Sequence, residues 1–95
     1  MNFTNNTESD TLTVTNTQTS PPWMVIIHDD PVNLMDYVTM VIEKVLGFNH
    51  TKSIDLMKQV HHKGKAIVWS GAKEKAEFYV QQLHSFQLHA TLEIA

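Results

Sequence analysis

Cysteine and arginine are both absent from this 95-residue chain, and glycine and proline occur only three times each. Without cysteine there can be no disulfide, no thiolate metal site and no Cys nucleophile. Without arginine, the basic side chains are seven unclustered lysines set against ten acids, for a net charge of -3. The bidentate contacts to phosphate and guanine that nucleic-acid readers use therefore have no source. No apolar run approaches the roughly 20 residues that cross a bilayer, and the N-terminus lacks the basic and apolar segments of a secretion leader. The chain is expected to work in the cytoplasm, with neither nucleic acid nor membrane as partner. What it does contain is 42% apolar residues, enough for one modest core and a single domain.

The apolar residues are unevenly spread. The first 20 residues, MNFTNNTESDTLTVTNTQTS, hold seven Thr, four Asn and no Lys or Arg. Such a segment cannot bury enough surface to offset its ordering entropy. Residues 1–22 are read as a flexible extension ending at Pro21-Pro22, and residues 23–95 as the folded domain. The Asn-X-Thr triplets at Asn2 and Asn5 are what a Thr-rich tract produces by chance. On composition alone the extension is either a solubilising leader or a handle for a partner.

From Trp23 onward the pattern changes. WMVIIH is a short β-branched run bounded by proline on both sides, which predicts a strand. Asn33 is a candidate N-cap for the helix that follows, with Asp36 near its positive end. In that helix Met35, Val38, Ile42 and Val45 share a face, with Leu34 and Val41 beside it, and Gly47 ends it. Asn49 predicts the cap of a second helix carrying Ile54, Met57, Val60 and His61 at helical spacing, closed by Gly64. KAIVW then reads as a strand. Ala72 to Ser85 reads as an amphipathic helix with Ala76, Tyr79, Val80 and Leu83 inward. In LHATLEI, Leu88, Ala90, Leu92 and Ile94 alternate with His89, Thr91 and Glu93, the signature of a half-buried strand. The order β-α-α-β-α-β predicts an α+β domain: a three-stranded, largely antiparallel sheet with three helices packed on one face.

The chemistry centres on IIHDDPVNLM, where two aspartates sit at the end of a strand. They read as a polar turn, half of a metal site, an acid/base pair, or a receptor for a cation. A metal site would draw on His28, Asp29, Asp30, His61 and His62, but no H-x-x-x-H or H-E-x-x-H pair supports it. An acid/base pair has no nucleophile and no glycine-rich phosphate loop beside it. No catalytic residue, metal or cofactor is expected. Trp23 and Trp69 read as strand-end packing, and His50, His62, His84 and His89 as solvent-facing.

The runs DDPVNLMDYV, LMKQVHHKGKAIVWSG and LHATLEIA resemble, in order and over residues 23–95, the ClpS family of Clp protease adaptors. The resemblance implies a non-enzymatic adaptor. Such proteins bind N-degrons, substrates whose first residue is bulky and apolar, and deliver them to a Clp AAA+ unfoldase of ClpA or ClpC type that feeds the ClpP peptidase. It implies a monomer without cofactor, whose N-terminal extension is engaged by the unfoldase, so the handle reading is preferred. It also implies a substrate pocket lined by Met35, Val38, Met57, Val60 and Leu88, with Asp29, Asp30 and His61 receiving the free α-amino group. Met35 falls where the family's gatekeeping methionine disfavours side chains branched at Cβ, so Leu, Phe, Trp and Tyr are the expected first residues.

Glu74 and Tyr79 fall at the unfoldase-docking positions; Tyr79 stands where some members carry lysine. The family's Asn-Asp-Asp loop corresponds either to Asp29-Asp30-Pro31 or, aligned on the aspartate pair, to a register that brings in His28 with one inserted residue; Asn33 closes the same loop. Two other classes remain: a same-fold interaction module that does not read N-termini, and a metal-dependent hydrolase built on His28, Asp29, Asp30 and His61.

Overall fold

A computed structural model of the chain describes residues 20–95. The expected flexible extension, residues 1–22, falls almost wholly outside the described residues. The elements follow as β1 (Trp23–His28), α1 (Met35–Leu46), α2 (His50–Lys63), β2 (Lys65–Gly71), α3 (Lys73–Ser85) and β3 (His89–Ile94). The strands form one antiparallel sheet in the order β2-β1-β3. This is the β-α-α-β-α-β architecture that the hydrophobic pattern predicts.

The most apolar strand takes the centre. Val25, Ile26 and Ile27 of β1 are buried, and Ile27 lies between Ala66 of β2 and Ala90 of β3. One sheet face, carrying Val25, Ile27, Ala66, Val68 and Ala90, joins the core with Val41, Ile42, Leu56, Met57, Val60, Ala76, Val80 and Leu83 from the helices. Each large aliphatic so buried contributes roughly 1.5–3 kcal/mol. The register shifts between Val25 and Ile26 against β2, passing from Trp69 to Ile67. Such a bulge sharpens the local twist of the strand pair.

The helix ends follow from local chemistry, with one correction. Gly47 (φ 74°) and Gly64 (φ 87°) close α1 and α2 in the left-handed conformation, donating to the Glu43 and Val60 carbonyls. Glycine adopts that conformation without a Cβ penalty. The Asn49 side chain accepts the Lys52 N–H at 2.8 Å, as a capping residue should. Asn33, however, does not cap α1. The capping position is Leu34, which has no side-chain cap bond, because Asn33 is used elsewhere in the loop. At the end of α3, Gln87 takes the left-handed conformation (φ 69°), and Leu88 N–H returns to the Leu83 carbonyl at 3.1 Å.

Two helical faces also differ from the pattern-based expectation. In α1 the buried residues are Thr39, Val41 and Ile42, while Leu34 is 76% and Met35 48% exposed. In α2 the buried set is Ser53, Leu56, Met57 and Val60, a rotation that leaves Ile54 half-buried and His61 exposed. Leu88 immediately precedes β3 and is buried, whereas Ile94 at the far end of that strand is 53% exposed.

Candidate functional site

The loop from β1 to α1 is built by its two aspartates in different ways. Asp30 folds inward on its own turn: its side chain accepts the Val32 N–H at 2.9 Å and its carbonyl accepts the Asn33 N–H at 3.1 Å. Pro31 stands at the second position of that turn, where a fixed φ near -65° is favourable. Asp29 is tied by its backbone instead. Its N–H donates to the Gly64 carbonyl at 2.9 Å, clipping the loop to the end of α2. His61 lies three residues before that glycine, so the clip brings Asp29 and His61 to the same part of the surface. At the other end of the loop the Asn33 side-chain amide donates to the Gln87 carbonyl at 3.2 Å.

These ties gather residues from three parts of the chain. Asp29 and Asn33 of the loop, Met35 and Val38 of α1, and Met57, Val60 and His61 of α2 surround one depression of about 20 Å³. It has an apolar floor and a rim with a carboxylate, an amide and an imidazole. The volume is room for about one water molecule. Admitting a larger apolar group requires side chains to swing, and Met35 and Met57 are the adaptable ones: unbranched, with a polarizable sulfur and three rotatable bonds.

Not every residue singled out in the sequence reaches this depression. The Asp30 carboxylate accepts the Val32 N–H through one oxygen and so stabilises the loop, and Asp30 is not among the residues around the hollow. Leu88 is buried in the core and is not among the residues around the hollow. His28 is excluded by strand alternation. As the last residue of β1 it points to the face opposite Val25 and Ile27, where its Nε2 is 2.7 Å from Thr91 Oγ1 and its ring stacks on His89 at 4.5 Å. Burial there, with the His89 and Lys65 charges, lowers its pKa below the ordinary imidazole value, and Glu93 opposes them. The set His28, Asp29, Asp30 and His61 therefore does not assemble, and no group of three metal-ligating side chains occurs among the described residues.

On α3, Glu74 is exposed in the first turn and Tyr79 is half-buried, its ring edge-on to Trp69 at 5.1 Å. Five residues apart, they diverge by about 140° around the helix. Phe78, one turn after Glu74 and 54% exposed, shares the Glu74 face; its spacing was readable in the sequence but its exposure was not. Trp23 takes Lys73 over its ring at 5.0 Å.

Comparison with known proteins decides the family. The family described as ATP-dependent Clp protease adaptor protein ClpS matches residues 18–92. The chain belongs to the ClpS family. The ATP-dependent Clp protease adapter protein ClpS of Streptomyces coelicolor is 50% identical over 72 residues, 76% of this chain and 75% of that one. The ClpS of Corynebacterium glutamicum is 53% identical over 74 residues, 78% and 74% of the two chains. Among solved structures, Agrobacterium tumefaciens ClpS2 bound to L-phenylalaninamide superposes with a TM-score of 0.73 at 21% identity, covering 79% of this chain and 98% of that one. That likeness speaks for the fold. Membership of ClpS places the chain among the adaptors of the Clp protease, a non-catalytic class. No described helix is long and apolar enough to cross a membrane.

Proposed function

We propose that this protein binds substrates through a bulky apolar first residue and its free α-amino group, and delivers them to a Clp AAA+ unfoldase of ClpA or ClpC type acting with ClpP. The observation that carries the reading is the convergence of Asp29, Asn33 and His61 on the rim of a hollow floored by Val38, Met57 and Val60. An α-amino group, which ordinarily loses its proton only near pH 7.7–8.0, is at neutral pH a cation with about three donors. A carboxylate and an imidazole nitrogen are suitable acceptors, at roughly 1.5–3 kcal/mol for each charge-assisted bond. A buried Leu or Phe side chain adds about 1.5–3 kcal/mol. After the cost of association these support micromolar binding, which suits an adaptor that must release its cargo.

L-Phenylalaninamide, bound in the structurally similar Agrobacterium tumefaciens protein, has the two features this reading requires: a bulky apolar side chain and a free amine. Met35 at the mouth disfavours substrates branched at Cβ, so Leu, Phe, Trp and Tyr pass while Ile and Val do not. Asp30 acts by holding the loop, and Leu88 belongs to the core beneath the helices and sheet. Glu74 on the exposed start of α3 offers the docking contact to the unfoldase on the face it shares with Phe78, while Tyr79 packs on Trp69 on a different side of the helix. Fluorescence anisotropy with peptides beginning in free Leu, acetylated Leu and free Ile tests the reading. Saturable binding of free Leu alone is expected; equal binding of the acetylated peptide overturns it.

A further inference from the structure

We propose that residues 10–14 of the N-terminal extension dock in extended form on the sheet face opposite the core, with Leu12 and Val14 in its apolar hollow and Asp10 on Lys65. The hollow is shown by a residue that the helices do not bury. Val25 and Ile27 of β1 join the core, but Ile26 is 3% exposed without belonging to it. Ile26 is covered on the other face, between its cross-strand partners Ile67 of β2 and Thr91 of β3. There Met24, Ile26 and Ile67 form an open hollow of about 300 Å³ that Lys65, Gln59 and Glu93 also line, and Ile67 remains 52% exposed. It shares no residue with the depression at the end of β1.

Pattern, charge and reach identify the occupant. Asp10, Leu12 and Val14 alternate with Thr11, Thr13 and Thr15, a period of two that puts one acid and two aliphatics on the same side of an extended segment. Met24, Ile26 and His28 share the open face of β1 at the same spacing, about 6.7 Å, and Lys65 is the cross-strand partner of His28. Laid antiparallel to β1, the segment puts Val14 over Met24, Leu12 over Ile26 and Ile67, and Asp10 at Lys65. Lys65 makes no ion pair among the described residues. Charge also fixes the direction, because Glu93 pairs with Met24 at the other end and would repel Asp10 in a reversed segment. Val14 lies eight residues before Pro22, a join of up to about 28 Å, longer than the roughly 20 Å of β1. So small a patch does not hold a second copy, but a tethered segment acts at an effective concentration in the millimolar range. An unfoldase that takes hold of the extension must first draw it from this face.

The chain has no cysteine, so Thr13→Cys in the full chain carries a single nitroxide on the side of the segment turned away from the sheet. Methyl NMR spectra then report which side chains lie near it. Broadening is expected to be several-fold stronger at Met24 and Ile67 than at Met35 and Met40 of α1, beyond the core. That contrast should vanish on adding Leu12→Ser/Val14→Ser, and should weaken with Lys65→Gln and as salt rises. Equal broadening at the two sets of methyls overturns the proposal. A contrast that survives Leu12→Ser/Val14→Ser also overturns it, because the aliphatic pair is then not what seats the segment. A contrast that grows with protein concentration assigns the face to the extension of another copy and overturns the contact within one chain.

Discussion

If Asp29 and His61 receive the substrate's α-amino group, then chemical changes on the two sides of that contact must be coupled. The perturbations are His61→Ala on the protein and acetylation of the first residue on a Leu peptide. His61 is exposed at the rim, so its bond to the amine lies at the low end of the charge-assisted range, about 1.5 kcal/mol or roughly tenfold in Kd. Acetylation removes the positive charge and two of three donors. Losing two such bonds costs about 3 kcal/mol, on the order of a hundredfold. With the acetylated peptide His61 has little left to contact, so His61→Ala should then change binding by less than about twofold, a coupling near 1 kcal/mol. Anisotropy supplies the corners of the cycle, and where the acetylated peptide binds too weakly the α-hydroxy analogue of the Leu peptide, uncharged and with one donor, replaces it with both the parent chain and the His61→Ala variant. A tenfold loss on His61→Ala that is the same for free and blocked peptides would refute the coupling, because the imidazole would then be acting on the shape of the hollow and not on the amine.

Three further outcomes follow from the framework that holds the site. Asn49→Ala should lower stability in urea by about 1 kcal/mol through loss of a helix cap, whereas Asn33→Ala should leave α1 uncapped as it already is and cost less; equal losses would contradict the cap assignment. Gly64→Ala forces a Cβ into φ 87°, with an expected cost of about 1–2 kcal/mol, and should weaken Leu-peptide binding too because the Gly64 carbonyl holds Asp29; loss of stability with unchanged affinity would sink the second half. Finally, the folded chain binds a proton at His28 less readily than the unfolded chain, because of burial, His89 and Lys65. The His28 contribution is therefore complete above the ordinary imidazole pKa of about 6.5 and is lost as pH falls through the lowered value. Urea midpoints between about pH 7.5 and 5 should decline less in His28→Gln than in the parent chain, and parallel declines would exclude this origin.

The parts of the fold legible in the sequence were those with a short-range cause. Asn49 and Gly64 could be assigned because a cap and a left-handed stop need only the residues beside them, and β1 because its apolar run has the length of a strand and proline at both ends. Asn33 has the same chemistry as Asn49 and still does not cap. Its backbone N–H is taken by Asp30 and its amide by Gln87, 54 residues away, and no local rule anticipates the latter. The face of α2 departs from its pattern for a similar reason. Ile54, Met57, Val60 and His61 form a plausible stripe, but the sheet and α1 together draw Ser53 and Leu56 inward, leaving Ile54 half-buried. Periodicity identifies a helix more securely than it selects which of two adjacent stripes faces a core.

The site was legible as a set of residue types but not as an arrangement, and the two aspartates show why. Side by side in the chain, they look like equal halves of an anion pair. The structure separates them through their backbones: the Asp30 carbonyl and carboxylate close the turn that Pro31 favours, while the Asp29 N–H is committed to Gly64 and its carboxylate is left at the rim. A loop carrying two rim carboxylates would place like charges close together beside one imidazole, and mutual repulsion would weaken each. Using one carboxylate to fix the turn and presenting the other gives a single anionic acceptor on a rigid support. That is the geometry a single terminal ammonium group can satisfy, with the amide of Asn33 and the imidazole of His61 on either side.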